Sequence, residues 1–165
     1  VNPENAGEYL SAGASHVIVT SYVFKDGRIS WENLNKMKET VGKEKLVLDL
    51  SCRRKDGKYY IVTDRWQKFT DVTMTLDIMK ELGSYCDEFL VHAVDVEGKA
   101  CGVETELASL LGEYKGNPVT YAGGVGSMKD IEDLRKYGKD RLDVTVGSAL
   151  DLFGGNISFS ELIKL

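Results

Sequence analysis

The chain has 165 residues, 42% of them hydrophobic and 28% charged, with a formal net charge of −5 at pH 7. That length builds one domain with a sizeable core. The acidic balance excludes broad attraction to nucleic-acid backbones, and no apolar run approaches the ~20 residues that span a bilayer. An anionic small ligand stays open, because local N–H groups hold a phosphate whatever the global charge.

The chain opens directly on "VNPENAGEYL", where Asn2 can cap a helix and Pro3 can occupy its first position. This helix is expected over about 3–12, ending at Gly13. "HVIVTS" (16–21) reads as a buried strand. Ser30 then caps a helix carrying Leu34, Met37, Lys38 and Val41, closed by Gly42, and "KLVLDLS" (45–51) is the next strand. In "RRKDGKYYIVTDRW" the Asp56-Gly57 pair sits between extended segments, the signature of a type I′ hairpin. Leu76, Met79 and Leu82 form one helix face ended by Gly83, and "DEFLVHAVD" (87–95) follows as a strand. Leu107, Leu110 and Leu111 mark the next helix, "PVTYAG" (118–123) the next strand, and Ile131 with Leu134 the helix after it. "LDVTVGS" (142–148) is the last strand, and Ser158 to Glu161 is a capping-box signal for a terminal helix.

Five core strands alternating with helices, each reading as buried on both faces, imply a parallel sheet with helical crossovers. Two α/β architectures fit, an open doubly wound sheet or part of a (β/α)₈ barrel. A complete barrel takes ~250 residues, so five units correspond to roughly its C-terminal two-thirds.

In either architecture ligands gather at the C-terminal strand ends. Those ends carry Thr20 and Ser21, Asp49 and Ser51, His92 and Asp95, Gly123 and Gly124, then Gly147 and Ser148. Asp49 lies in an apolar strand, where burial raises a carboxylate's pKa and suits it to proton transfer. A partner among Arg53 and Arg54 is its structural alternative. His92 and Asp95, with Glu97 nearby, raise a metal reading, but a strand would point the first two to opposite faces. Trp66 can cover a substrate ring or simply pack. "PVTYAGGVGSMKD" (118–130) and "VGSALD" (146–151) both run from a glycine-ended strand into a helical start, the pattern of an anion cradle. Ser127 is the expected cap of the first helix, with Gly126 a turn residue. Cys52, Cys86 and Cys101 form no CxxC pair and fit reduced thiols in a cytoplasmic enzyme.

The strings "VIVTSYVF", "LVLDLSCRRKDG", "IVTDRWQKF", "EFLVHAVDVEG", "TYAGGV" and "DVTVGSALDLFGGN" together resemble one family over essentially the whole chain. It is the phosphoribosylformimino-5-aminoimidazole carboxamide ribotide isomerase of histidine biosynthesis, in the branch typified by plant and fungal enzymes. The resemblance implies a (β/α)₈ barrel performing an Amadori rearrangement of an aminoaldose to an aminoketose, with no metal or cofactor. It implies that residues 1–165 are a single domain comprising about strands 4 to 8, with a hairpin inserted after strand 5. By resemblance, Asp49 matches the acid–base carboxylate ending the family's fifth strand. Gly123, Gly124, Gly147 and Ser148 match one phosphate cradle, and Ser21 part of the other. The substrate is then a small molecule phosphorylated at both ends, with no nucleic-acid or membrane partner.

The family's second carboxylate lies on its first strand and has no counterpart here, so the chain alone is expected to be inactive. Ala93 stands where many bacterial members carry threonine, which brings His92 and Asp95 into the catalytic set beside Asp49. Arg53 and Trp66 join the substrate-binding set. A complete parent is expected to be monomeric, whereas a piece lacking three strands would expose sheet edges and self-associate. The related readings are the anthranilate-branch isomerase of tryptophan biosynthesis, the histidine-pathway cyclase, and a receiver-like signalling domain with Asp49 as phosphoacceptor. "DRWQKF" and "DVEGKACG" favour the first family over these.

Overall fold

The structure, a computed structural model, describes residues 1–99 and 101–165. The chain begins with turns over 3–5 in which Asn2 Oδ1 accepts the N–H groups of Glu4 and Asn5, and α1 (Ala6–Ser11) follows. Next come β1 (Val17–Val19), the short strands β2 (Phe24–Lys25) and β3 (Arg28–Ile29), α2 (Trp31–Val41) and β4 (Leu46–Asp49). Ser30 caps α2 by accepting the Asn33 N–H, and Gly42 ends it at φ 84°. The chain then leaves the main sheet for β5 (Cys52–Lys55), β6 (Lys58–Thr63) and β7 (Lys68–Thr73), and returns through α3 (Leu76–Leu82) to β8 (Glu88–His92). The remaining elements are α4 (Thr105–Glu113), β9 (Val119–Ala122), α5 (Met128–Tyr137), β10 (Leu142–Thr145) and α6 (Phe159–Leu162).

The main sheet is parallel and its order is β1-β4-β8-β9-β10, sequential from one edge to the other. A doubly wound sheet reverses direction at a switch point, and this one does not. With right-handed crossovers, unreversed order puts the connecting helices on one face. Consecutive helices accordingly pack on one another, α1 on α2, α3 on α4 and α4 on α5.

The two faces of the sheet differ sharply. Leu46, Leu48, Phe89, Val91 and Tyr121 point to the helices and are fully buried, each contributing about 1.5–3 kcal/mol to folding. The opposite face carries Ile18, Val47, Asp49, Glu88, Leu90, His92, Thr120, Asp143 and Thr145, and most of these are at least partly accessible. Burial on both faces was expected from the apolar runs; the edge strands show otherwise, with Ile18 48% exposed.

Local differences follow from local chemistry. The expected type I′ turn is present, with Asp56 at φ 50° and Gly57 at φ 75° pairing Lys55 with Lys58. A third antiparallel strand, β7, extends this hairpin into a three-stranded sheet. A second Asp-Gly turn, Asp26-Gly27 (φ 51° and 74°), joins β2 to β3. The 87–95 strand stops at His92, because Val94–Val96 form a 3₁₀ turn that carries Asp95. Leu76 is 38% exposed, leaving Met79 and Leu82 as the buried face of α3, and Gly83 is ordinary right-handed backbone. The capping box expected at Ser158 does not form: Ser158 Oγ pairs with Ser160 Oγ, and Asp151 Oδ1 accepts the Phe159 N–H instead.

Candidate active site

Asp49 ends β4 and His92 ends β8, neighbouring strands whose alternation turns both side chains to the open face. His92 Nδ1 lies 3.6 Å from Asp49 Oδ1, too long for a hydrogen bond, and this buried nitrogen has no hydrogen-bond partner among the described residues. The Asp49 carboxylate still acts on the ring across that gap. It pushes the imidazole above the ordinary histidine range, against the opposing effect of burial.

The pair stands between two pockets. On one side is a cleft of about 370 Å³ lined by Thr20, Ser21, Asp49, Arg65 and Trp66 among others. On the other is a narrower pocket of about 80 Å³ lined by His92, Glu97, Gly123, Gly124, Gly147 and Ser148, with Thr145 at its wall. The structure therefore brings Ser21, Asp49 and Trp66 to one pocket and His92 with the four cradle residues to the other. Arg65 and Thr145 line these pockets without having stood in the sequence-derived set, and Glu97, considered there only for a metal, lines the second. Thr145 was legible from the sequence as a strand-end polar residue on the same face as His92.

Asp95 and Arg53 lie outside both linings. Arg53 Nε donates to Asp95 Oδ1 at 2.9 Å, and the Arg54 N–H donates to Asp95 Oδ2 at 2.8 Å. The arginine partner considered for Asp49 thus belongs to Asp95. The Arg53 guanidinium also stands 5.6 Å from the centre of the Phe69 ring. Asp49 is held instead by Ser51, whose N–H and Oγ–H both donate to Oδ1, at 2.9 and 2.7 Å.

The two glycine turns are built differently from an open helix N-terminus. Gly123 and Gly124 have φ of +114° and +77°, and a Cβ on Gly124 would sit 2.1 Å from the Gly102 carbonyl oxygen. On Gly123 it would sit 2.8 Å from the Ala93 carbonyl oxygen. These glycines let the chain pack against itself. The start of α5 is capped from within, since Asp130 Oδ2 accepts from Gly126 N–H, Ser127 N–H and Ser127 Oγ–H. Ser127 is the cap, as expected. After β10 the chain enters a turn closed by Leu150 N–H to the Gly147 carbonyl, and only a 3₁₀ turn (Asp151–Phe153) follows. Gly147, by contrast, is open: a Cβ there meets nothing within 4 Å.

Two of the three cysteines, Cys52 and Cys86, are buried. Burial pushes the Cys52 thiol well up and the Cys86 thiol up to about 12, so neither is a thiolate near neutrality. Among the described residues no cluster of three or more metal-ligating side chains stands together, and no helix is long and apolar enough to cross a membrane.

Residues 1–158 match the family model described as histidine biosynthesis protein. A Medicago truncatula protein named as a chloroplastic phosphoribosyl-substituted imidazole-4-carboxamide isomerase is 56% identical over 163 residues, covering 99% of this chain and 52% of the relative. Proteins of the same isomerase name from Yarrowia lipolytica and Saccharomyces cerevisiae are 42% and 40% identical, over 99% and 95% of this chain. They are covered to 66% and 62% of their own length, so the chain spans between half and two thirds of these relatives. A match across the whole sheet, from α1 to the last strand and its following turns, leaves one assignment: the chain belongs to the histidine biosynthesis protein family.

Proposed function

We propose that this chain carries one half of the acid–base machinery, and one complete phosphate cradle, of the aldose–ketose isomerase of histidine biosynthesis. The observation that carries the reading is the position of Asp49 and His92 at neighbouring strand ends, each lining one of the two pockets. An Amadori rearrangement moves a proton from the carbon bearing the sugar hydroxyl to the former imine carbon after ring opening. One group must donate and another accept. Asp49 is the group this chain supplies, with His92 beside it as a charged neighbour or proton partner.

The substrate is a long molecule with a phosphate at each end. Gly123, Gly124, Gly147 and Ser148 hold one phosphate, with the open Gly147 offering closest approach, and Ser21 contributes to the other. Fixing both ends places the reacting carbons over Asp49, which is the entropic part of catalysis. Trp66 covers the cleft from the loop between β6 and β7. Arg53 and Asp95 act together, as a pair bracing the β5 start against the turn after β8. The sequential sheet supports a partial (β/α)₈ barrel in which the open face becomes the interior, a single domain whose remaining strands complete the wall. In the complete barrel the protein is a monomer, while the chain alone leaves β1 and β10 as free edges and self-associates.

Sequential strand order opposes the receiver-like reading, whose sheet carries a switch point. The relatives' names support the histidine-pathway isomerase over the tryptophan-branch enzyme and the cyclase. The free thiols suit any reducing compartment, the chloroplast of the Medicago relative's name included. The test is to join the chain to the upstream portion of the Medicago relative and follow the bis-phosphorylated aminoaldose. Conversion to the aminoketose by the joined protein, and none by the 165-residue chain, is expected; turnover by the chain alone contradicts the half-site assignment.

A further inference from the structure

Ser51 is fully buried and polar, and sits directly beneath the candidate catalytic carboxylate. A serine hydroxyl has one proton and two lone pairs, while an indole N–H only donates. Trp66 Nε1–H donates to Ser51 Oγ at 3.1 Å, which occupies a lone pair and directs the hydroxyl proton elsewhere. It goes to Asp49 Oδ1 at 2.7 Å, where the Ser51 N–H also arrives at 2.9 Å. Two donors therefore converge on one oxygen. Asp49 Oδ2 accepts no hydrogen bond among the described residues.

Trp66 is itself held in an uncommon way. Asp64, Arg65 and Trp66 are three successive non-glycine residues in the left-handed region, at φ 51°, 55° and 67°. The Asp64 N–H donates to Ser21 Oγ at 3.3 Å, tying this turn to the end of β1. The Trp66 ring lies 5.7 Å from that of His92, tilted by 44°. A strained turn persists where its surroundings hold it, and here the anchored groups are Ser21 on one side and Ser51 on the other.

We propose that Ser51 is a positioning residue that pins Oδ1 of Asp49 and leaves Oδ2 as the reacting oxygen, and that Trp66 sets the direction of the Ser51 hydroxyl through its indole N–H. The catalytic meaning of this relay rests on the isomerase reading; the relay itself does not. The Trp66 indole N–H resonance of this chain, assigned by its loss in Trp66→Phe, reads the relay without turnover. Ser51→Ala moves that signal upfield and speeds its exchange with water. Asp49→Asn, which weakens the pull on the Ser51 proton from one bond further away, shifts it as well. A signal that Ser51→Ala leaves in place overturns the relay; should that variant fail to fold, an indole signal indifferent to Asp49→Asn does the same.

In the protein with its upstream portion restored, Ser51→Ala lowers kcat roughly tenfold with KM little changed, as loss of a hydrogen bond to a charged group would. Trp66→Phe keeps an aromatic ring near His92 but removes the indole N–H together with part of the ring surface over the cleft. Combined with Ser51→Ala it lowers kcat no further than Ser51→Ala alone, because both act through one hydroxyl. Independent, multiplying losses overturn the proposal. Absence of turnover in the unsubstituted protein would instead defeat the isomerase reading, with the indole signal still deciding the relay.

Discussion

The two pockets flanking Asp49 and His92 are made of different material. The cradle at the ends of β9 and β10 is rich in glycine backbone, with His92, Glu97 and Thr145 at its walls and two of its glycines forced by the chain's own carbonyls. The cleft at the ends of β1 and β4 is side chains, hydroxyl, carboxylate, guanidinium and indole, carried partly by a strained turn. The first is welded into the fold and the second is attached to it. Substitutions at the two packed glycines of the cradle, Gly123 and Gly124, should therefore show first in stability, and those in the cleft first in chemistry.

Gly124→Ala breaks that contrast most severely. With φ at +77° and a Cβ placed 2.1 Å from the Gly102 oxygen, it should lower stability by about 2–4 kcal/mol, read by chemical denaturation. Gly123→Ala, with its contact at 2.8 Å, should cost about 1–3 kcal/mol by the same measurement. Gly147→Ala is the contrasting case within the cradle itself. Nothing stands within 4 Å of its Cβ, so stability should change by no more than about 0.5 kcal/mol, while a methyl group in the cradle weakens binding of inorganic phosphate in a titration. Equal destabilisation at positions 124 and 147 would remove the distinction, within the cradle, between glycines packed against backbone and the open one.

The smallest effect is on pH. Asp49 raises the His92 imidazole, so the pair stabilises the fold in full below the ordinary histidine value of about 6.5. That contribution is lost as pH climbs through the raised folded value. Asp49→Asn should lower the His92 titration midpoint followed by ring-proton NMR and flatten this part of the stability profile. A midpoint that stays in place would detach His92 from Asp49.

Much of the architecture was legible because the relevant signals are local. Ser30, Gly42, Ser127 and the Asp56-Gly57 turn each act within a few residues, and each does what its residue type dictates. The Asp26-Gly27 turn carried the same dipeptide but flanks strands of two residues, too short to show alternation. Strand β7 was hidden because Phe69, Val72 and their neighbours look like the end of a loop until β6 is there to pair with them. The strand-end residues were found as a group by topology alone. What sequence could not assign was which partner each takes. Arg53 is four residues from Asp49 in the chain yet bonds Asp95, 42 residues away. Nor could the glycines reveal whether a ligand or another stretch of backbone fills the space beside them. At Gly124 it is the Gly102 carbonyl, and at Gly147 the space is open.

The most direct test of the assignment is the turnover number of Asp49→Asn in the protein with its upstream portion restored. Asparagine keeps an oxygen that can accept from Ser51 while removing the charge and the ability to take or give the proton. The expected result is a loss of at least ~100-fold in kcat, with KM within a few-fold and a cooperative unfolding transition retained. Turnover like that of the unsubstituted protein would contradict it and take Asp49 out of the chemistry.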